Sequence, residues 1–316
     1  MTNALRTGPI AVVGSLNMDL VIRVPRFPAA GETLTGREFE TVPGGKGANQ
    51  AVACARMGAP VVMIGSIGAD GHGKTLVAAL RADGIDVAGV HAWPDAHTGI
   101  AIVMVEDGGQ NCIVLAPGAN AALDPAAIDA AAPDIARAAL LVLQLEVPMD
   151  TVLHAAQCAK RAGVPVLLNA APVAPLPEGL WPLIDWLVVN EIEAGTLAGV
   201  AVSNAQAAAA IGQALRDRGA KNVIVTLGEM GVVVADANGT RHFAAQRVRA
   251  IDSTAAGDTF IGALAAGMRE GLDIDAAVAL GQAASALCVT RRGAQPSIPT
   301  RAELGSGIEP PAAGAL

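Results

Sequence analysis

Apolar residues along the chain follow two rhythms that take turns. Short aliphatic runs at Ile10–Val13, Val61–Ile64, Ala138–Leu143, Val164–Asn169, Trp186–Val189 and Val223–Leu227 read as buried strands. Spacings of three and four predict helices over Gly71–Arg81, Met149–Arg161, Ala205–Arg216, Thr259–Glu270 and Ile274–Thr290, and another ending at Met57. Gln246–Ile251 alternates enough to pass for a further strand. This β/α alternation predicts an α/β fold: a mostly parallel central sheet with helices on both faces.

Two stretches break the rhythm. Leu20–Val24 and Thr33–Phe39 are strand-like but separated by Pro25, Pro28 and Gly31, with no helix between them. From Thr98 to Leu115, two β-rich runs flank Asp107-Gly108-Gly109, a hairpin signal. Strands inserted at about 17–42 and 97–116 predict a small β-sheet lid on one α/β domain spanning residues 1–316. The Gly/Pro/Ala-rich end, 305–316, reads as a loose tail.

Several predicted strands end in polar groups: Asn17 and Asp19, Glu146, Asn169, Asn190 with Glu193, and Thr226. In a parallel sheet such tips share one edge, where ligands bind. Each also has a local explanation. Asn17 and Asp19 suit a turn as well as a polyol. Asn190 and Glu193, three apart at a helix start, suit a capping pair as well as a hydrated Mg²⁺. The stretch Pro43-Gly44-Gly45-Lys46-Gly47-Ala48-Asn49-Gln50 has neither P-loop nor Rossmann spacing, yet its glycines allow backbone to approach a ligand.

The segment Asp252-Ser253-Thr254-Ala255-Ala256-Gly257-Asp258-Thr259 opens a predicted helix with three nearly bare residues and one carboxylate. Bare residues at a helix N-terminus leave N–H groups open to an anion. Asp258 there is either a helix cap or a base that takes a proton from a hydroxyl attacking phosphate.

Composition narrows the classes. The chain is 52% hydrophobic but only 2% aromatic, with no Tyr, so small aliphatic residues must fill its core. A formal net charge of −8 without a basic run argues against nucleic acid as the partner. No apolar run before Pro9 suggests a signal peptide, and no window suits a bilayer, so no membrane partner is expected. Four scattered cysteines fit a reducing cytoplasm. The five histidines show no zinc spacing, and no G-x-S-x-G occurs.

Taken together, the chain resembles the PfkB-type sugar kinases from Val12 to about Ser297. The carriers are Gly14-Ser15-Leu16-Asn17-Met18-Asp19, the Gly44–Ala51 run, Gln144-Leu145-Glu146, Asn190–Glu193, Thr226-Leu227-Gly228, Asp252–Thr259 and Thr290–Ser297. The Gly-Gly-Lys-Gly-Ala-Asn-Gln run is similar to the ribokinase branch rather than to fructokinases or adenosine kinases. The resemblance implies transfer of a phosphoryl group from ATP to the 5-hydroxyl of ribose, with Mg²⁺ required and K⁺ activating. It implies sugar contacts at Asn17, Asp19, Gly45, Lys46, Gly47, Ala48, Asn49 and Glu146, with Asp258 as base. It places the N–H groups of Ala255, Ala256 and Gly257 on the transferring phosphoryl. Asn190 and Glu193 would hold Mg²⁺ through water. Thr226, Leu227, Gly228, Glu229, Met230, Gly231 and Gln282 would line the nucleotide. Asp252, Thr254, Cys288, Arg291, Gly293 and Ser297 would surround K⁺, mostly through backbone carbonyls. A homodimer through the lid is also implied. Departures are Asn169-Ala170-Ala171-Pro172 for the usual Asn-Pro-Ala-Pro, Gln282 near adenine, Met230 in the nucleotide loop, and the tail. Kinases for deoxyribose, fructose or nucleosides, and a silent sugar-binding protein, remain alternatives.

Overall fold

A computed structural model describes residues 7–108, 110–305 and 314–315. Gly109 of the predicted hairpin, and most of the predicted loose tail, lie outside them. In chain order come β1 (Ile10–Val13), β2 (Asn17–Val24), β3 (Arg37–Gly44), α1 (Lys46–Arg56), β4 (Val61–Gly68), α2 (Gly71–Ala82), β5 (Asp86–Trp93), β6 (Gly99–Glu106) and β7 (Asn111–Ala116). Then follow α3 (Pro125–Ala130), α4 (Ala132–Arg137), β8 (Leu140–Leu143), α5 (Met149–Arg161), β9 (Val166–Asn169), β10 (Trp186–Asn190), α6 (Glu191–Ala198) and α7 (Ala205–Asp217). The chain closes with β11 (Asn222–Thr226), β12 (Val232–Asp236), β13 (Gly239–Phe243), α8 (Ala256–Glu270), α9 (Ile274–Cys288) and β14 (Gly314–Ala315).

Ten strands form one sheet in the order β14-β13-β12-β11-β10-β9-β8-β1-β4-β5. Pairing is parallel from β11 to β5, and antiparallel from β11 out to β14. Along β1, Ala11 and Val13 enter one apolar cluster with α3, α5 and α7. Ile10 and Val12 enter the other, with α1, α2, α8 and α9. This period-two division is what a sheet covered on both faces requires. The second sheet, β3-β2-β6-β7, carries the two inserted stretches.

The scarcity of bulky core residues has a local consequence. Gly262 of α8 faces α1, where a Cβ would run into Ala53 and stand 2.8 Å from the Gln50 carbonyl. The two helices therefore pack at backbone contact. Asp258 lies one turn before Gly262 on the same side, which brings its carboxylate to the polar start of α1.

Some expectations fail. Gln246–Ile251 is mostly exposed loop, not strand. It has no partner strand among the described residues, and alternation without a partner satisfies no backbone groups. β3 starts at Arg37, not Thr33, and runs on to Gly44. Asn17 and Asp19 lie within β2 rather than in a turn. β5, α3, α4, β12 and β13 were not anticipated, nor was β14, where Gly314–Ala315 of the predicted loose tail pairs with β13.

Candidate active site

The central residue is Asp258, third in α8 and 8% exposed. Its Oδ2 accepts from Asn49 Nδ2 at 3.0 Å and its Oδ1 from Gln50 Nε2 at 2.9 Å. No side chain caps α8, whose preceding residue is Ala255 at φ 58° and ψ 10°. The capping alternative for Asp258 is therefore excluded: its oxygens face α1, not its own helix. Ala255 is one of two non-glycine residues with positive φ among those described. A left-handed alanine costs roughly 1–2 kcal/mol, and such strain is held where the surroundings over-determine it.

The sequence reading assigned three N–H groups to an anion. The structure keeps two of them open. Ala256 donates to the Ser253 carbonyl at 3.2 Å. Among the described residues, no acceptor meets the N–H of Ala255 or Gly257. They border a cleft of about 210 Å³, lined also by Lys46, Asn169, Asn190, Glu193, Thr226, Ser253 and Asp258. Burial pulls the half-buried Lys46 ammonium down, but Asp258, Glu146 and Glu193 together push it above its ordinary value.

On the other side of Asp258 lies a second carboxylate group. Glu146 Oε2 accepts from Ser15 Oγ at 2.6 Å, the Lys46 N–H at 3.1 Å and Asn17 Nδ2 at 3.4 Å. Gly45 makes the turn into α1 at φ 90°, with Asn17 N only 2.6 Å from where a Cβ would stand. Gly47 leaves the same kind of gap, 2.5 Å from Ser15 N. These two positions explain why the loop needs glycine: two stretches of backbone cross there in contact. Asn49 keeps a buried Oδ1 with no partner among the described residues. Such an atom is costly unless a ligand satisfies it.

Asp19 accepts no hydrogen bond among the described residues. Burial first, then the Glu146 and Asp258 carboxylates, push it up to about 7. The folded chain thus holds a proton on Asp19 between pH 3.8 and about 7 that the unfolded chain releases. The Asp19 contribution to stability therefore falls as pH rises through that window. Asp19→Asn should raise the melting temperature above pH 7 and do little below pH 3.8. Thermal melts of both proteins against pH check this; an equal effect at both ends contradicts it.

At the start of α6, Asn190 and Glu193 form the capping box. Asn190 Oδ1 accepts from Ile192 N at 2.9 Å and Glu193 N at 2.8 Å, and Glu193 Oε2 from Asn190 N at 2.9 Å. Glu193 lines the cleft, and its Oε1 has no partner among the described residues. Burial raises the Glu193 carboxyl, only partly offset by the Asn190 N–H and Lys46. A cation would relieve this, and an oxygen donor suits a hard one. Thr226 ends β11 beside Asn190, and Gly228–Met230 forms a single 3-10 turn closed by Gly231 at φ 98°. Gln282 sits deeper, its Nε2 donating to the Phe243 and Ala244 carbonyls at 3.2 and 3.1 Å and its Oε1 unpaired.

The six residues assigned to K⁺ come from the loop before α8, the last residue of α9 and the loop that follows it. Asp252 Oδ1 accepts from Thr254 N and Oγ1 at 2.9 and 2.6 Å, and Oδ2 from Gly293 N at 2.9 Å. Burial raises Asp252, but these bonds outweigh it and hold the carboxyl below its usual range. Cys288 Sγ is 3.1 Å from Ser297 Oγ. The Arg291 side chain leaves the group to pair with Glu303 at 2.7 Å, so only its backbone belongs there. The Asp252 carboxylate gives these loops a negative charge, which suits a cation.

Four residues escaped the sequence reading as site members: Ser15, Gln50, Asn120 and Gln144. Gln50 is fully buried, donating also to Asn169 Oδ1 at 3.1 Å and accepting from Gln144 Nε2 at 2.7 Å. Apart from this site, the donor atoms of Asp129, His154 and Cys158 lie within 4.8 Å of one another. Each already has a partner: His154 bonds Asp129 at 2.7 Å, and Arg161 reaches Cys158 Sγ at 2.9 Å.

A buried carboxylate between a polar pocket and an open helix N-terminus defines a class: phosphoryl-transfer enzymes acting on small hydroxylated acceptors. Residues 8–301 match the pfkB family of carbohydrate kinases, and the chain belongs to that family. It is 45% identical over 294 residues to the ribokinase of Haemophilus influenzae, covering 93% of this chain and 96% of the relative. A deoxyribokinase of Salmonella typhimurium is 38% identical, covering 92% and 95%. The structure of Arabidopsis thaliana ribokinase complexed with ribose and ATP superposes with a TM-score of 0.88 at 34% identity, covering 94% and 97%.

Proposed function

We propose that the chain transfers the γ-phosphoryl group of ATP to the 5-hydroxyl of D-ribose, releasing ADP and ribose 5-phosphate. The observation that carries this reading is Asp258, held by Asn49 and Gln50 between the Asp19–Glu146 pocket and the start of α8. Carboxylate acceptors beside the Asn17 amide donor match vicinal hydroxyls, which both give and accept hydrogen bonds. Asp258 takes the hydroxyl proton as the new O–P bond forms and the bond to the ADP oxygen breaks. The open N–H groups of Ala255 and Gly257 and the Lys46 ammonium face the negative charge that shifts during transfer.

Asn190 and Glu193 would hold Mg²⁺ through water, and the ion would neutralise phosphate charge. The Asp252–Ser297 loops hold K⁺, which would firm the turn leading into Ala255. Thr226 to Gly231 lines the nucleotide, with Gln282 nearby. The small sheet acts as a lid that excludes water as a competing acceptor. Its exposed Phe39, Ile113 and Val114 suit a second copy of the chain, making a homodimer. Phe39→Asp with Ile113→Asp is then expected to give monomers by light scattering; an unchanged mass rejects the lid interface. Four free cysteines, three of them buried, accord with a cytoplasmic setting.

Deoxyribose is the second reading, favoured by the deoxyribokinase relative at 38% identity. ADP release measured across pentoses, hexoses and nucleosides, in K⁺ and in Na⁺, tests both. Highest kcat/KM with ribose and faster turnover in K⁺ are expected. A preference for deoxyribose replaces the substrate, and equal rates in both salts remove the K⁺ site.

A further inference from the structure

Asn17 can present either end of its amide to a sugar, and the two ends have opposite chemistry. What decides is Asn120, over a hundred residues away in sequence. Asn120 is 1% exposed, in a 3-10 turn over Gly118–Ala122. Its Oδ1 accepts from the Leu16 N–H at 2.9 Å, and its Nδ2 donates to the Leu16 carbonyl at 3.1 Å. A backbone N–H and C=O on one residue fix which end of the Asn120 amide is which. The same Nδ2 donates to Asn17 Oδ1 at 2.7 Å. Asn17 Oδ1 is thereby turned away from the pocket, and its Nδ2 faces Glu146 Oε2 at 3.4 Å.

Gly99 makes the contact possible. It pairs with Asn17 across β2 and β6, and the nearest atoms to a Cβ there would be Asn120 Nδ2 and Asn17 Oδ1. Any side chain at Gly99 would wedge the two amides apart.

We infer that Asn120 is a positioning residue, which locks Asn17 as a hydrogen-bond donor toward the sugar and so sets hydroxyl recognition beside Glu146. The inference rests on the sugar-kinase reading above. Without Asn120 as donor, the Asn17 amide turns over and puts Oδ1 against the Glu146 carboxylate. Two acceptors then share one sugar hydroxyl, which has only one proton to give.

The test is a double-mutant cycle. In Asn120→Asp, an isosteric change that removes the donor, the sugar KM is expected to rise about tenfold or more. The KM for ATP should stay unchanged and kcat should fall little. Gly99→Ala should reproduce the effect by a separate route, and it carries the test if Asn120→Asp does not fold. In an Asn17→Ala background, Asn120→Asp should add no further rise, because it acts only through Asn17. An unchanged sugar KM in the folded variants, or a full additional rise in the Asn17→Ala background, overturns the inference. A wild-type protein that phosphorylates no sugar sinks the parent reading instead; sugar binding by calorimetry through the same cycle then still decides on Asn120.

Discussion

Asp258→Asn is expected to lower kcat about a thousandfold, within the range a positioned base contributes. Sugar and nucleotide binding should persist. Asn is isosteric with Asp and still accepts one of the two bonds now reaching Asp258 from Asn49 and Gln50 at 3.0 and 2.9 Å. What it lacks is the ability to take the hydroxyl proton. The damage should therefore fall on kcat with little change in KM. Turnover within a few-fold of wild type would mean that another group accepts the proton. A lost sugar affinity with intact kcat would make Asp258 a binding residue only.

The second large effect is expected at Glu146→Gln. One oxygen of Glu146 collects Ser15 Oγ, the Lys46 N–H and Asn17 Nδ2 at 2.6, 3.1 and 3.4 Å. Hydrogen bonds to a charged group contribute about 1.5–3 kcal/mol each, so losing the charge should raise the sugar KM roughly ten- to a hundredfold. Gln can also place its N–H₂ against these three donors, which adds to the loss. Asp258 is untouched, so kcat should change far less. Steady-state kinetics at varied sugar concentration separate the two outcomes. An unchanged KM would remove Glu146 from the sugar pocket.

These two variants split the site along the line the structure draws. In the proposed mechanism Glu146 grips the acceptor before the reaction, and Asp258 acts during it. Both carboxylates are set by the Lys46–Gln50 turn of α1, which Gly262 brings against α8. The packing of α1 on α8 therefore joins the proposed binding half of the site to its proposed reacting half.

The central strands were legible in the sequence because burial on both faces leaves uninterrupted aliphatic runs, as in β1, β8 and β11. Helix α5 was legible to the residue, since Met149–Arg161 keeps its period throughout. β12 and β13 were not, because they extend the sheet antiparallel beyond the β/α alternation that guided the reading. β5 is half exposed and interrupted by Gly89, so its pattern carries little signal. Gln246–Ile251 shows the reverse error: it has the alternation of a strand but no strand to pair with among the described residues.

For the site, residue types at strand tips pointed to one edge of the sheet, and the cleft gathers Lys46, Asn190, Glu193, Thr226 and Asp258. The roles of Gln50, Gln144 and Asn120 were not visible. An amide in a helix or turn reads as surface until tertiary contacts show which polar group it faces. Nor did sequence show that Ala255 rather than Asp258 precedes α8, because alanine rarely takes a left-handed backbone.

The most direct test of the account follows the product of the unaltered protein. Carbon-13-labelled ribose, ATP and Mg²⁺ are incubated with it, and the phosphorus–carbon couplings of the product are read by NMR while ADP is counted. The account predicts one ADP per sugar phosphorylated and coupling at carbon 5. ADP formed without sugar product, or phosphate on any other carbon, would contradict it.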